Sequence, residues 1–225
     1  MTYRMMDDDT QITGDTSLTE ATVTVGERLW RIVEAASHED LVARVETEAD
    51  LQAFPYGLLL WPSAVALAER LAAEPELVRG KRVLELGAGV GLPGLVAQSL
   101  GGVVTQTDYQ LAPLALAREN ARRNGIAGIV ICEGDWRRFP SLPPFDVVLG
   151  SDVLYERAMH PALRALLPRV LAPGGLLLLS DPLRPQAAVF VDELEYAGWR
   201  VGMAGTTVAW RGERQEIALF TARRP

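Results

Sequence analysis

The stretch VLELGAGVGLPG, residues 83–94, decides the fold that this sequence predicts. An apolar run containing Glu85 has the composition of a buried strand, and Gly87, Gly89 and Gly91 follow it closely. Glycine has no Cβ atom, so this turn lets a ligand approach the backbone and the N-terminus of the next helix. The stretch therefore predicts a strand, a turn and a helix that together bind a nucleotide-type cofactor.

The spacing of these glycines argues against a dinucleotide. A dinucleotide fingerprint has the pattern GxGxxG, but Leu92 stands where its third glycine belongs. A GxGxG turn preceded by an acidic residue suits instead a cofactor without a pyrophosphate, whose amino acid end lies against the loop. NAD is therefore the weaker interpretation. The residues of this region that we assign to cofactor binding are Glu85, Gly87, Ala88, Gly89 and Gly91.

From Lys81 onward the sequence alternates between strand and helix patterns, which predicts a parallel sheet covered by helices on both faces. We expect strands in residues 82–88, 103–108, 128–134, 145–155 and 176–182. We expect helices in residues 91–101, 111–125, 160–171 and 185–199, and a closing antiparallel pair in 200–210 and 216–223. The predicted fold is a doubly wound α/β sheet of seven strands, mostly parallel, with an antiparallel C-terminal strand pair.

Three segments are expected along the chain. Residues 1–20 are polar and acidic and offer too little apolar surface to offset the entropy of ordering, so we expect a mobile tail. Residues 21–53 form an N-terminal appendage, in which β-branched and aromatic residues around Gly26 predict a β-hairpin, followed by an acidic connector. Residues 54–225 form the ligand-binding domain, and apolar residues at helical spacing after Pro62 predict its first helix.

The composition restricts the partners. A chain of 225 residues with 48% hydrophobic content buries one good core. The formal net charge is -7 and no stretch concentrates lysine and arginine, so we expect no nucleic-acid partner. Neither a basic leader with an apolar core nor an apolar run of membrane-spanning length is present, so we expect a cytoplasmic protein with no membrane partner.

The cysteine and the histidines do not form a metal-binding pattern. Cys132 lies in an apolar run and is expected to be a buried small side chain. His38 and His160 lack cysteine or carboxylate partners at metal-ligand spacing, so we expect each at the surface or at a helix cap. We therefore expect no metal site.

Polar and aromatic side chains follow the predicted strands. Asp108 closes the second strand about 20 residues after Gly87, the interval at which a strand-end carboxylate accepts hydrogen bonds from ribose hydroxyls. Asp135 and Trp136 follow the third strand, where an acceptor takes the adenine amino group and an aromatic face covers the ring. We assign these residues and Tyr109, beside Asp108, to cofactor binding.

The end of the fourth strand supplies further candidates. Ser151, Asp152 and Tyr155 lie there, beside the point where the strand order of an open α/β sheet reverses and ligands bind. We assign Ser151 to cofactor binding. We assign Asp152 and Tyr155 to catalysis.

These motifs, taken in order, resemble a known family. The succession ELGAGVG, TD, DW, SDVLY and LAPGG before LLLLSDP resembles the class I S-adenosylmethionine-dependent methyltransferases, which have a Rossmann-like fold. Within that class it resembles the lysine methyltransferase-like group called methyltransferase family 16. The marks of this group are WPSAVALAERL at residues 61–71 and the Asp-x-x-Tyr motif from Asp152 to Tyr155. The resemblance covers roughly residues 54–185.

The resemblance implies a role for each matching residue. Trp61 helps to enclose the methionine end of S-adenosylmethionine, and the loop from Gly87 to Gly91 lines it. Asp108 holds the ribose, and Asp135 with Trp136 meets the adenine. Asp152 and Tyr155 face the incoming substrate. The product is S-adenosylhomocysteine, and the chemistry needs no metal.

The acceptor is open at this point, because we assign no pattern to the first 53 residues and that region commonly shapes substrate choice in the family. We expect protein-lysine N-methylation, with Asp152 orienting the amine. A small-molecule N- or O-methyltransferase is the alternative, since a fold does not fix the acceptor. A non-catalytic cofactor-binding protein is a further alternative. Nucleic-acid methylation is disfavoured by the acidic balance and by SDVL where base amino-methylases carry Asn-Pro-Pro-Tyr.

Overall fold

The computed structural model describes residues 16–42, 47 and 54–224. The strands in this part of the chain are β1 (Leu18–Val25), β2 (Arg28–Ala35), β3 (Arg82–Leu86), β4 (Val103–Asp108), β5 (Val130–Glu133), β6 (Phe145–Ser151), β7 (Leu171–Asp181), β8 (Arg200–Trp210) and β9 (Glu213–Arg223). The α-helices are α1 (His38–Val42), α2 (Pro62–Ala73), α3 (Leu92–Ser99), α4 (Leu111–Arg123), α5 (His160–Val170) and α6 (Pro185–Tyr196).

The main sheet has seven strands in the order β5-β4-β3-β6-β7-β9-β8. The strands from β5 to β7 run parallel, and β9 pairs antiparallel with both β7 and β8. The predicted doubly wound sheet with its antiparallel C-terminal pair is therefore confirmed. The strand order reverses between β3 and β6, so the crevice at the carboxyl ends of these strands is the expected ligand site.

Alternating side chains of the sheet pack into two hydrophobic clusters. Val147 and Leu149 of β6 belong to the cluster formed with α2, α3 and the β1–β2 hairpin. Val148 between them belongs to the opposite cluster, formed with α5 and α6. This period of two, with both faces apolar, is what a sheet covered by helices on each side requires.

Strands β6 and β7 differ from their predicted limits. β6 ends at Ser151, so Asp152 and Tyr155 lie in the segment that follows it. β7 begins at Leu171, although LAPGG was expected to end a helix. Phe145 pairs with Leu171 while Val147 pairs with Leu176, so extra residues of β7 form an irregularity there. Such a bulge lets a strand contain a Pro-Gly-Gly sequence that reads as a turn.

The predicted N-terminal hairpin is confirmed, with β1 and β2 paired antiparallel around Gly26. β1 begins at Leu18, inside the segment 1–20 that was expected to be a mobile tail, so that boundary was too late. Residues 1–15 lie outside the described residues, as does most of the predicted acidic connector, whose first residues form α1.

Asn120 of α4 and Asn124, which directly follows that helix, attach the hairpin to the main domain. The Asn120 carboxamide accepts a hydrogen bond from the Val33 N–H at 2.7 Å and donates to the Val33 carbonyl at 3.1 Å and to the Val90 carbonyl at 2.9 Å. Asn124 pairs in the same way with the Arg31 N–H and carbonyl, at 3.0 and 2.7 Å. The two side chains thus take the place of a neighbouring strand for β2.

Replacing Asn120 by leucine should destabilise the protein by about 1–3 kcal/mol, because buried backbone groups of Val33 lose their partner. The control Asn124→Leu should cost less, since its partner Arg31 is exposed and water replaces the lost bonds. Urea unfolding measures both changes. Equal losses in the two variants would contradict the assigned difference in burial.

Candidate active site

A cavity of about 390 Å³ opens at the carboxyl ends of β3, β4, β5 and β6. It is lined by the glycine loop after β3, by residues that follow β4, β5 and β6, and by the segment that precedes α2. Its volume falls within the range of about 300–1,000 Å³ typical of small-molecule sites. It lies at the reversal of strand order, where such sheets bind ligands.

The glycine loop has the backbone conformation that its sequence predicts. Gly87 and Gly89 have positive φ angles of 62° and 54° and both line the cavity. A Cβ atom on Gly87 would lie 2.8 Å from the side chain of Val153, and one on Gly89 would lie 3.2 Å from the carbonyl oxygen of Gly57. Glycine is therefore required here by conformation and by close packing.

Asp108 fixes this loop from the end of β4. Its Oδ2 accepts the N–H of Gly89 at 3.1 Å, and its Oδ1 accepts the N–H of Gln110 at 3.1 Å. Burial raises the pKa of the Asp108 carboxyl, although these backbone hydrogen bonds oppose the shift. A carboxylate has about four acceptor positions, so Asp108 retains acceptor capacity on the cavity that it lines. Tyr109 and Ala88 line the cavity beside it.

Glu85 and Gly91 are not in the cavity, contrary to the sequence-based assignment. Glu85 is fully buried behind the loop, where its Oε2 accepts the Gly94 N–H at 3.1 Å and the Gln106 Nε2–H at 2.7 Å. Gln106 also donates to the Gly91 carbonyl at 2.8 Å. Side chains alternate between the two faces of a strand, and that of Glu85 lies on the face toward Gly94 and not on the side of the cavity. Glu85 supports the loop from below, and Gln106 holds Gly91 at the end of the loop.

The protonation of Glu85 follows from this burial. Desolvation raises the pKa of its carboxyl to about 8, against smaller opposing effects of the hydrogen bonds from Gln106 and Gly94. Its Oε1 and the Gln106 Oε1 have no hydrogen-bond partner within the described part of the chain. Both of these oxygens are acceptors that lack a donor, and a protonated Glu85 carries an O–H that can donate. A neutral carboxyl group therefore suits the site.

We expect the stability of the protein to depend on pH through Glu85. The folded state keeps a proton that the unfolded state releases near pH 4.5, so this contribution is complete below pH 4.5 and is lost as the pH rises to about 8. The slope is at most about 1.4 kcal/mol per pH unit. Urea unfolding of the protein and of Glu85→Gln, which mimics the neutral acid, should diverge over this range. Parallel pH dependences would contradict the assignment.

Asp135 and Trp136 lie together after β5, and both line the cavity. The Asp135 carboxylate accepts hydrogen bonds from the Arg137 side chain, at 3.0 Å from Nε and 3.0 Å from Nη2, and from its backbone N–H. The bond from the Arg137 side chain lowers the pKa of Asp135. A ligand amino group would share this carboxylate with an exposed arginine that the sequence analysis did not identify.

The segment before α2 forms another part of the cavity wall. Trp61 lines the cavity and its Nε1–H donates to the Tyr56 carbonyl at 2.9 Å. The Tyr56 ring centroid lies 4.4 Å from that of Phe54 and 5.3 Å from that of Tyr155. Only Trp61 was assigned here from the sequence. The aromatic and glycine residues of FPYGLLL directly before it were the available signal.

A buried acid of the hairpin holds this wall in place. The Glu34 Oε2 accepts the Leu60 N–H at 2.8 Å, and its other oxygen pairs with Arg211 at the turn between β8 and β9. Glu34 is fully buried. The N-terminal hairpin thus positions residues next to Trp61.

Ser151, Asp152 and Tyr155 all line the cavity beyond β6. Asp152 has a positive φ of 57°, which is strained for a residue other than glycine, asparagine or aspartate. Its carboxylate pairs with Arg184, which also bonds Asp181 at the end of β7. Burial raises the pKa of the Tyr155 hydroxyl, so the phenol stays protonated. The sequence analysis did not connect Arg184 with this site.

The cavity lining is acidic. It contains the carboxylates of Asp108, Asp135, Asp152 and Glu156, and its one guanidinium, that of Arg137, is paired with Asp135. Carboxylates that line a partly buried cleft produce a negative potential, which attracts cations. The site therefore suits a positively charged cofactor or substrate.

Cys132 is buried as expected, and burial raises the pKa of its thiol to about 11. His160 is buried at the cap of a short helical turn and the start of α5, so the cap alternative of its prediction holds and the surface one does not, and its Nε2 lies 3.0 Å from the Leu154 carbonyl oxygen. The described residues contain no group of three metal-ligating side chains. No helix among them has the length and apolar character needed to cross a membrane.

Comparisons with known proteins agree with this geometry. A family model described as lysine methyltransferase matches residues 43–195. Histone-arginine methyltransferase METTL23 of Xenopus laevis is 36% identical over 59% of this chain and 58% of that protein. Protein N-lysine methyltransferase METTL21A of Danio rerio is 33% identical over 63% of this chain and 67% of that protein. Among the METTL23 proteins matched, the chain spans 42% to 58% of the relative's length.

A solved structure shows the same fold. The 16S rRNA N2 G1207 methyltransferase RsmC of T. thermophilus, in complex with AdoMet and guanosine, superposes with a TM-score of 0.59 at 18% identity, over 92% of this chain and 51% of that one. Strand order, glycine loop and the carboxylate after β4 together define the class I methyltransferase architecture. The chain belongs to the lysine methyltransferase family, whose model matches more than half of it.

Proposed function

We propose that the protein is an S-adenosylmethionine-dependent methyltransferase that modifies lysine side chains of a protein. The observation that supports this proposal most strongly is that one cavity is lined both by the glycine loop with Asp108 and by the segment with Asp152 and Tyr155. The part beside the glycine loop and Asp108 suits a nucleoside with an amino acid end. The part beside Asp152 and Tyr155 suits the methyl acceptor. The proposed compartment is the cytoplasm, which a chain with one buried, unpaired cysteine fits.

The cavity residues fit the proposed cofactor. Asp108 retains acceptor positions for ribose hydroxyls after binding Gly89 and Gln110. Trp136 supplies an aromatic face near the loop, 3.8 Å from where a Gly87 Cβ would lie. The acidic lining complements the positive charge of a sulfonium. Trp61 and the residues just before it complete the lining.

When bound, S-adenosylmethionine supplies an electrophilic methyl group that an amine takes by in-line displacement. The chain's contribution is alignment, which in favourable cases supplies on the order of 7 to 11 kcal/mol. The ammonium must first release its proton to water, and the aromatic wall of Tyr56, Trp61 and Tyr155 favours the neutral amine by reducing its contact with solvent. The amine nitrogen then bonds to the methyl carbon as the carbon–sulfur bond breaks, and S-adenosylhomocysteine leaves. Asp152 accepts a hydrogen bond from the amine and so directs its lone pair. No residue is required to form a covalent bond.

Arginine is the second candidate acceptor, because a relative 36% identical to this chain is named a histone-arginine methyltransferase. The family model, whose description is lysine methyltransferase, and the relatives named for lysine favour the amine. An arginine acceptor is best bound by a carboxylate whose two oxygens each accept one N–H of the guanidinium. Asp152 is already paired with an internal arginine.

The proposal is tested by transfer of radioactive methyl groups. Purified protein, tritiated S-adenosylmethionine and a heat-treated cell lysate should yield label in precipitated protein, and acid hydrolysis should release methyllysine. Lysate without the enzyme is the control. Methylarginine would refute the lysine assignment, and label found only in small molecules would refute protein methylation. No binding of S-adenosylhomocysteine in calorimetry, together with no transfer, would refute the methyltransferase assignment.

Replacing Asp152 by asparagine should lower the transfer rate about tenfold or more and change S-adenosylhomocysteine affinity by less than about threefold, because a charge-assisted bond to the acceptor is lost. Asparagine tolerates the positive φ at this position, so the backbone is preserved. Asp146→Asn, at the opposite end of β6, is the matched control and should leave the rate unchanged. An unchanged rate in Asp152→Asn would contradict the role of Asp152.

A further inference from the structure

Arg184 joins the ends of two neighbouring strands at the candidate active site. Its Nη1 pairs with Asp152, which follows β6, and with the fully buried Asp181 at the end of β7, 3.0 Å away. Its backbone N–H donates to the other oxygen of Asp181 at 2.7 Å. One guanidinium thus spans the strands that carry the acceptor side of the cavity.

The backbone on each side of this ion pair has an uncommon conformation. Among the described residues, three that are not glycine have positive φ angles, and two of them, Asp152 and Leu183, flank this contact. For Leu183 this conformation is strained, and such strain persists only where surrounding interactions compensate for it, often at functional sites. The turn through Leu183 directs Arg184 back toward Asp181, and the turn at Asp152 directs its carboxylate toward Arg184.

The two partners differ in their relation to the cavity. Asp152 lines it, whereas Arg184 does not, so the guanidinium contacts Asp152 from outside the cavity. The contact uses Oδ1 of Asp152. Its Oδ2 has no hydrogen-bond partner in the part of the chain that the structure describes.

We propose that Arg184 is a positioning residue that fixes the Asp152 carboxylate with one oxygen free for the acceptor. This inference rests on the proposed function. One free oxygen accepts a single N–H of an amine but cannot form the two parallel bonds that a guanidinium prefers. Arg184 therefore contributes both to the rate of transfer and to the choice of lysine over arginine.

The test compares Arg184→Met, Arg184→Lys and the control Arg82→Met. Arg82 forms a similar ion pair with Asp146 between neighbouring strands, at the amino ends of β3 and β6 and away from the cavity. The probes are S-adenosylhomocysteine in calorimetry and tritiated S-adenosylmethionine, at saturating concentration, with the heat-treated lysate. Thermal unfolding confirms that each variant is folded.

Arg184→Met should reduce the rate of label transfer at least tenfold and leave S-adenosylhomocysteine affinity within about threefold of the original protein. Arg184→Lys keeps the charge and should recover part of the rate, and Arg82→Met should match the original protein. The labelled product of Arg184→Met should contain a larger share of methylarginine, because both Asp152 oxygens become available.

An unchanged rate in Arg184→Met, while the original protein binds and transfers, would overturn the inference and leave the proposed function standing. A fall in affinity equal to the fall in rate would also overturn it, because that result indicates general damage to the fold. If Arg184→Met does not fold, Arg184→Lys decides, and a rate no lower than that of the original protein overturns the inference. Failure of the original protein to bind the cofactor product would instead refute the proposed function.

Discussion

The hydrogen bond from the Gly89 N–H to the Asp108 carboxylate is the contact on which the candidate site depends. It ties the turn after β3 to the end of β4 and so sets the shape of the loop that lines the cavity. The left-handed glycines make the turn possible, since no side chain obstructs the approach of Gly57 and Val153. The segment before α2 packs on this loop through Gly57, so its position depends on the same hydrogen bond.

Two buried acidic side chains form hydrogen bonds to segments beside the cavity. Glu34 accepts the Leu60 N–H and pairs with Arg211, and Glu85 accepts from Gln106 and Gly94. Burial without such partners would cost several kcal/mol per charge. Through these bonds Glu34 orders the segment before α2 and Glu85 orders the start of α3, although neither carboxyl group lines the cavity. The hairpin takes part through Glu34 and through Val33, whose partner Asn120 also donates to the Val90 carbonyl in the glycine loop.

The sequence predicted the order of strands and helices because apolar periodicity and the glycine turn are local signals. The candidates Asp108, Trp136 and Asp152 all line the cavity, since the carboxyl ends of parallel strands share one edge. Glu85 was expected at the cavity because it lies close to the glycine loop in sequence, but it does not line the cavity, because side chains alternate along a strand. Arg184 and Tyr56 reach the site only through tertiary packing, so no spacing rule connects them with Asp152. The start of β7 was missed because a bulge tolerates residues that usually form a turn.

The central claim is that Asp108 binds the sugar of a sulfonium nucleoside whose amino acid end lies on the glycine loop. A crystal structure with S-adenosylhomocysteine tests it most directly. The account predicts ribose hydroxyls within about 2.6–3.2 Å of the Asp108 oxygens, with the Gly89 bond retained. A ligand bound elsewhere, or a ribose out of reach of Asp108, would contradict it.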